Sequence, residues 1–317
     1  MSYYFDEKSA ERAVTFIERF CTHVKGELAG QPFILEDWQK IDIIRPLFGW
    51  KSEATGLRKY RTCYVEIPRK NGKSNLAAAI ALYLLFADGE PGAEIISAAG
   101  DRGQANIVFQ IAKEMISNNK HLRARAKVLR NIVEHKGSWY KSISAEAYTK
   151  HGLNCHGIIF DELHTQPNRE LYDVLTTSVG ARRQPVIMSL TTAGHDRSSI
   201  CYEMHEYSEA ILNGSIVDET FLPVLYKADA DDDWTSPETW KKANPGYGSI
   251  CNEAYFEDAV KKAKANPSMI NSFLRLHLNI WTSAETAWIP DDIYMKGAKE
   301  IPYDRLPSLP AYAGLDL

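Results

Sequence analysis

The sequence predicts an α/β fold in which a mainly parallel central sheet is flanked by helices. From residue 61 onward, strand-like and helix-like segments alternate, as they do where crossover helices join parallel strands. The strand segments are continuously apolar, which suits strands that are covered on both faces. A Gly-Lys-Ser turn stands between one such strand and an apolar helix, and that context favours phosphate binding.

Bulk properties favour a globular protein in a reducing compartment. The 317 residues are 44% hydrophobic and 25% charged, which allows one large domain plus a smaller appendage. A net charge of -4 means that contacts with nucleic acid would come from local basic patches. The five scattered cysteines lack C-x-x-C spacing, which argues against a disulfide framework and a zinc site. The longest apolar run, residues 76–86, is too short to cross a membrane.

Four regions are predicted along the chain. Residues 1–60 form an entry segment, 61–226 the α/β core, 227–289 a small helical subdomain that follows an Asp-, Pro- and Gly-rich stretch, and 290–317 a linker ending in one strand. The predicted strands are 61–67, 93–99, 127–134, 138–143, 156–160, 185–190 and 221–226. The predicted helices are 8–24, 73–87, 103–118, 168–180, 198–213, 252–265 and 267–278.

The segment IPRKNGKS at residues 67–74 is a candidate phosphate-binding loop because it follows a strand and opens a helix. Gly72 would permit close approach of the backbone, Lys73 would pair with the β- and γ-phosphates, and Ser74 would ligate Mg²⁺. Ile67 stands where the usual pattern has its first glycine. Taken alone, the segment is therefore also open to interpretation as a chance turn that caps a helix.

Two adjacent carboxylates, Asp161 and Glu162, follow the apolar segment at 156–160. In a parallel sheet they would lie at the carboxyl edge, where α/β proteins bind ligands. Asp161 could then hold magnesium through water, and Glu162 could act as the general base that activates the attacking water. An Asp-Glu pair after a strand is also a common helix N-cap. The phosphate loop upstream makes the catalytic interpretation the stronger one.

Two more segments offer ligand contacts. Thr191 and Thr192 follow the next apolar strand, so their hydroxyls either meet a γ-phosphate or cap the following helix. Upstream, Trp38 and Gln39 offer an aromatic ring and an amide suited to adenine. The alternative for this segment is a helix start with Trp38 in the core.

The ordered set of segments resembles the large terminase subunits of tailed double-stranded DNA phages, specifically the HK97-like group. The segments are IPRKNGKS, QANIVF at 104–109, GIIFDELH at 157–164, SLTTAG at 189–194, ANPG at 243–246 and HLNIWTSAETAWIP at 277–290. They cover nearly the whole chain. The resemblance implies a P-loop NTPase of the additional-strand catalytic-glutamate class, which hydrolyses ATP to translocate viral double-stranded DNA into an empty procapsid.

The resemblance also implies cofactors, partners and residue roles. ATP and Mg²⁺ are the expected cofactors, and the family tolerates the irregular loop with Ile67. The implied partners are viral DNA, the portal protein, the small terminase subunit and further copies in a ring, expected as a pentamer, in the host cytoplasm and at the portal vertex. The matched positions are Gln39 for adenine, Arg69, Asn71, Gly72, Lys73 and Ser74 for Walker A, Asp161 and Glu162 for Walker B, and Thr191 and Thr192 for the coupling motif.

Two parts of the family pattern are matched incompletely. Ring motors place a positive finger from the neighbouring subunit near the γ-phosphate. Lys150, Arg182 and Arg183 are candidates for it, and each is equally open to a role as solvated surface charge. Residues 312–317 resemble the first strand of an RNase H-like nuclease, with Asp316 at its metal position. Since two-metal chemistry needs several carboxylates, cutting of DNA is expected only in a full-length parent.

A basic stretch and two alternative functions complete the predictions. Residues 120–130 either follow DNA phosphates or form a charged helix face. A superfamily 2 helicase would match DELH and SLTTAG, but the roughly 90 residues after the last core strand do not supply its second RecA-like domain. A non-catalytic nucleotide-binding scaffold is the other alternative, which replacement of Glu162 would distinguish.

Overall fold

A small N-terminal unit precedes the central sheet in this computed structural model, which describes residues 2–145 and 152–282. Its two strands pair antiparallel, and its helices bury their apolar residues in the main core. The predicted first helix is confirmed, whereas the two-stranded sheet and the π-helical turn were not predicted. The elements are β1 (Tyr3–Phe5), α1 (Glu7–Phe20), the π-helical turn (Gln39–Ile44), α2 (Arg45–Gly49) and β2 (Trp50–Ser52).

The centre of the molecule is an eight-stranded sheet. Across the sheet the strand order is β10-β3-β9-β8-β4-β7-β6-β5. The strands from β10 to β7 are parallel, and the edge β7-β6-β5 is antiparallel. Strand β9 therefore lies as an additional strand between β3 and β8. The strands are β3 (Thr62–Glu66), β4 (Glu94–Ala99), β5 (Lys127–Val128), β6 (Val133–His135), β7 (Ser138–Ser144), β8 (Cys155–Asp161), β9 (Val186–Thr191) and β10 (Phe221–Leu225).

Helices cover both faces of this sheet, so the predicted α/β class is confirmed. Helix α3 is buried at every position from Leu76 to Leu85, which explains why its sequence is apolar on all sides. Helix α4 packs beside it, and α6 and α7 cover the opposite face through a second hydrophobic cluster. The helices are α3 (Lys73–Phe86), α4 (Arg102–Asn118), α5 (Lys120–Arg123), α6 (Glu170–Thr177) and α7 (Ile200–Leu212).

A third hydrophobic cluster lies within residues 228–278 and is built by short helices. Trp240 and Phe256 stack at its centre with ring centroids 5.7 Å apart. Side chains of Ser236, Asn252 and Asn266 accept backbone N–H groups at the starts of these helices, as N-caps do. The elements are α8 (Pro237–Ala243), α9 (Glu253–Ala265), a 3₁₀ turn (Pro267–Met269) and α10 (Ile270–Leu278).

Two predictions about secondary structure were wrong. Residues 127–134, predicted as one strand, form the antiparallel pair β5 and β6, because the chain reverses where Leu129 N–H donates to Ile132 O at 2.9 Å. Residues 237–243, which form helix α8, were predicted to belong to the Asp-, Pro- and Gly-rich boundary stretch. The start signal of α8, Ser236 at the N-cap with Pro237 at N1, was obscured by the surrounding Asp and Gly residues. Within the described ranges, no helix is long and apolar enough to cross a membrane.

Candidate active site

Three loops meet at the carboxyl edge of the central sheet. They follow β3, β8 and β9 and contain residues 67–72, 162–165 and 192–194. Because β3, β9 and β8 are parallel neighbours, their following loops emerge side by side. The sheet therefore brings together the three segments that the sequence predicted to share one site.

The phosphate-binding loop ends on a glycine in the left-handed region. Gly72 has a φ of +79° and occupies the N-cap of α3, where no side chain makes a capping hydrogen bond. A residue with a side chain would be strained in this conformation. The first N–H groups of α3 thus begin a helix without a competing side-chain acceptor, and the helix dipole favours an anion there.

Lys73, at the first position of α3, is almost completely buried. Its Nζ donates to Ile67 O at 3.1 Å, to Pro68 O at 3.2 Å and to Thr192 Oγ1 at 2.7 Å. Burial lowers the pKa of Lys73, and the charges of the two Walker B carboxylates oppose that shift. The ammonium group is therefore fixed between the phosphate loop and the coupling motif, where a charge-assisted bond to phosphate would be strong.

Ser74 and Asp161 form the part of the site that fits a magnesium ion. Ser74 Oγ donates to Asp161 Oδ2 at 3.2 Å, which leaves the hydroxyl lone pairs free for a cation. Asp161 Oδ1 is buried and has no hydrogen-bond partner among the described residues, as expected of an atom that faces a bound cation or water. Burial, followed by the charge of Glu162, raises the pKa of Asp161 to about 6.

Glu162 occupies a strained backbone position next to Asp161. Its φ of +52° lies in the left-handed region, which costs a residue other than glycine about 1–3 kcal/mol and is frequent at functional sites. Its buried Oε2 lies 3.3 Å from His164 Nδ1 without hydrogen-bond geometry. Since burial lowers the pKa of His164 to about 4, that ring is neutral at pH 7. Glu162 occupies the N-cap position of the short 3₁₀ turn Leu163–Thr165, but its side chain makes no capping hydrogen bond.

The two threonines of the coupling motif face different partners. Thr192 Oγ1 lies 2.7 Å from Lys73 Nζ and donates to Ile67 O at 3.1 Å. Thr191 Oγ1 instead accepts the backbone N–H of His164 at 3.1 Å. Helix α7 is capped by Ser199, so the alternative in which these threonines cap the helix is wrong.

Gln39 is buried beside the phosphate loop. Its Oε1 accepts the backbone N–H of Glu36 at 3.1 Å, whereas its Nε2 is buried without a partner among the described residues. That nitrogen lies 3.8 Å from the position that a β-carbon on Gly72 would take. Trp38 belongs to the core and packs edge-on against Tyr226, so the amide alone of this pair is directed to the loop.

The segment between α8 and α9 contacts the phosphate loop, and the sequence did not predict this contact. The buried Asn71 side chain donates to Asn244 Oδ1 at 2.9 Å and accepts the backbone N–H of Gly246 at 3.1 Å. A β-carbon at Gly246 would come within 2.9 Å of Asn71 Oδ1, so this approach requires glycine. The ANPG segment was noted as a family feature, but nothing in the chain order assigns it a partner.

The remaining candidate residues make no side-chain hydrogen bond with the three loops, or lie outside the described residues. Arg69 is exposed, and its backbone N–H donates to Leu276 O at 2.9 Å. Arg182 is bound to backbone carbonyls and a carboxylate of its own chain. Arg183 is exposed just before β9, at the sheet edge opposite the Walker residues. Lys150 and Asp316 lie outside the described residues.

The basic stretch makes contacts typical of a charged helix face. Arg123 Nη1 donates to Ser117 O at 2.9 Å, and Arg125 Nη1 donates to His121 O at 3.0 Å. Both guanidinium groups thereby satisfy carbonyls near the ends of α4 and α5.

Comparison with known proteins assigns the family. Residues 37–210 match the family described as terminase large subunit, ATPase domain, and residues 215–317 match terminase large subunit, endonuclease domain. The chain belongs to the terminase large subunit family. The crystal structure of the HK97 bacteriophage large terminase superimposes on it with a TM-score of 0.75 and 29% identity, covering 86% of this chain and 55% of that one. Its fold is accordingly that of a terminase ATPase domain, a P-loop NTPase.

Two curated relatives agree with this assignment. The terminase large subunit of Enterobacteria phage HK97 is 31% identical over 97% of this terminase chain, which spans 59% of that relative's length. Protein YmfN of Escherichia coli (strain K12) is 36% identical over 43% of this chain and 30% of its own length. The predicted resemblance to the HK97-like group is confirmed.

Proposed function

We propose that this chain is the ATP-hydrolysing part of a motor that translocates viral double-stranded DNA into an empty procapsid. One observation carries the proposal. A buried lysine at a helix start, a Ser-Asp pair and a strained glutamate meet at the carboxyl edge of three adjacent parallel strands. Phosphoryl transfer to water requires a phosphate clamp, a magnesium ligand set and a base in this arrangement.

Each residue has a separate task in the proposed reaction. The N–H groups at the start of α3 and Lys73 bind the β- and γ-phosphates, while Ser74 and Asp161 hold the magnesium ion, which neutralises phosphate charge. Glu162 accepts a proton from water as the water oxygen bonds to the γ-phosphorus. The bond from that phosphorus to the bridging oxygen breaks, and ADP and phosphate are the products. Thr192 accepts a hydrogen bond from Lys73, so this bond would change when Lys73 binds phosphate.

The Gln39 amide supports adenine as the base. Its Nε2 has no partner among the described residues, and a side-chain amide can pair with the donor and acceptor edge of adenine. The amide lies beside Gly72, at the end of the loop that would hold the phosphates. We assign Gln39 to adenine recognition and Arg69 to the phosphate end of the site.

The wider machine is proposed from the family. In it, this chain forms a ring, a pentamer, on the portal vertex in the host cytoplasm, with the small terminase subunit and DNA as partners. A positive finger enters from the neighbouring copy, with Lys150 and Arg183 as candidates. We propose the division into 1–60, 61–226, 227–289 and 290–317, with Asp316 as a metal ligand of the nuclease.

Replacing the buried lysine tests the proposal. Lys73→Ala should lower the ATPase rate by on the order of 100-fold or more, because a preorganised charge at the transferred phosphate is lost. The rate of phosphate release with ATP and magnesium is the measurement. Lys262→Ala, the same change on the exposed face of α9, is the control and should match the unaltered chain. An inactive unaltered chain, or equal rates for both variants, would refute the proposal.

A further inference from the structure

The side chain of Asn279 joins three separate parts of the core. This buried residue follows α10 as its C-cap with a φ of +59°. Its Oδ1 accepts the backbone N–H of Ala193 at 2.7 Å. Its Nδ2 donates to Tyr226 O at 2.8 Å and lies 3.4 Å from Glu66 Oε1. One amide therefore connects the coupling motif, the end of β10 and the end of β3.

Asparagine meets three demands at this position. The Ala193 N–H requires an acceptor, whereas the Glu66 carboxylate and the Tyr226 carbonyl require a donor. The left-handed backbone favours glycine, asparagine and aspartate. Aspartate would supply the acceptor and lose the donor, and glycine would supply neither. The contacts thus depend on the amide group itself.

Trp281 strengthens the same connection two residues further on. Its Nε1 donates to Glu66 at 3.2 Å from Oε1 and 3.3 Å from Oε2. A β-carbon at Gly194 would come within 2.9 Å of the Trp281 ring, so the indole lies directly on the coupling motif. Glu66 is fully buried and is also bound by Tyr64 OH and His205 Nδ1. A buried carboxylate with this many donors is held in one position.

These contacts flank the group that holds Lys73. Glu66 immediately precedes Ile67, and Ala193 immediately follows Thr192. Ile67 O and Thr192 Oγ1 are two of the three acceptors for Lys73 Nζ. Asn279 therefore contacts the backbone N–H of Ala193 and the side chain of Glu66, the residues next to these two acceptors.

We propose that Asn279, assisted by Trp281, is a positioning residue that sets the distance between the coupling motif and Lys73 and thereby the rate of ATP hydrolysis. The same hydrogen bonds connect the residues that follow α10 to the coupling motif. This inference rests on the proposed ATPase function and names a residue outside the Walker motifs that controls it.

An isosteric substitution tests the role. Asn279→Asp keeps the acceptor for Ala193 and places a second carboxylate against Glu66. The kcat for ATP should fall by on the order of 100-fold, because a small displacement of reacting groups lowers the rate by that much. The Kd for a fluorescent ATP analogue should change by less than about threefold. The double variant Glu66→Gln with Asn279→Asp returns a donor opposite the new carboxylate but none at Tyr226 O, so it should recover part of the lost kcat, which a double-mutant cycle measures.

The controls separate positioning from stability. Val260→Ala removes packing in the third hydrophobic cluster and should lower Tm without a selective loss of kcat. The inference fails if Asn279→Asp retains kcat within about twofold, or if kcat and nucleotide affinity fall together without recovery in the double variant. If Asn279→Asp does not fold, Asn279→Gly, which keeps the left-handed backbone, should show the same loss of kcat with nucleotide affinity retained, and retention of kcat within about twofold would refute the inference. Absence of hydrolysis in the unaltered chain would instead refute the proposed ATPase function.

Discussion

Replacing Glu162 with glutamine should lower kcat for ATP hydrolysis by about 100- to 10,000-fold, which is the range that a positioned general base contributes. Glutamine has the same shape and fits the same side-chain site, but it cannot accept the proton of the attacking water. Nucleotide binding should persist, because Lys73, Ser74 and the start of α3 are unchanged. Single-turnover hydrolysis and equilibrium binding of ATP, measured on the same preparation, separate the two quantities.

The control for this prediction is Glu257→Gln, the same neutralisation at an exposed position of α9. It should leave both kcat and ATP affinity unchanged. Hydrolysis by Glu162→Gln at the rate of the unaltered chain would show that Glu162 is not the base. Loss of binding together with hydrolysis would show that Glu162 acts in forming the site rather than in the chemical step.

Asp161→Asn should stabilise the nucleotide-free protein and abolish its stabilisation by magnesium and ATP. Burial and the neighbouring Glu162 raise the pKa of Asp161 from 3.8 to about 6, so the folded state disfavours the charged form at neutral pH. Since each pKa unit corresponds to 1.36 kcal/mol, the neutral amide should raise the free energy of unfolding by about 1–3 kcal/mol. Denaturant unfolding with EDTA, and then with magnesium and an ATP analogue, measures both effects.

The raised pKa of Asp161 determines how the free energy of unfolding changes with pH. The stability associated with this group is present below the unfolded pKa of 3.8 and is lost as pH rises through about 6. The difference between Asp161→Asn and the unaltered chain should therefore grow between about pH 4 and pH 6 and stay nearly constant above about pH 7. The raised pKa of Asp161 would be contradicted if Asp161→Asn were less stable than the unaltered chain at about pH 8. The role of Asp161 as a magnesium ligand would be contradicted if magnesium and the ATP analogue stabilised both proteins equally.

Local signals in the sequence were enough to predict the Walker segments. Gly72, Lys73 and Ser74 stand between a strand and a helix, and Asp161 follows an apolar strand. Both patterns are short, and parallel strands deliver their following loops to the same edge. The fold class and the pairing of the two segments were therefore predictable from chain order alone.

The contacts that hold the site together depend on distant parts of the chain. Asn71 contacts Asn244, and Asn279 contacts Ala193, although the members of these pairs lie 173 and 86 positions apart in the sequence. A buried polar side chain gives no periodic signal that names its partner. The left-handed backbone of Glu162 was likewise beyond prediction, because tertiary contacts rather than local propensity maintain such strain.

The most direct test of the ATP site formed by the three loops is a crystal structure of this chain with magnesium and a non-hydrolysable ATP analogue. We expect Lys73 Nζ to contact a phosphate oxygen in place of the carbonyls of Ile67 and Pro68, Ser74 and Asp161 to flank the magnesium ion, and adenine to contact Gln39. A nucleotide bound elsewhere, for example in the cavity lined by Arg102, Arg130 and Lys141, would contradict the account.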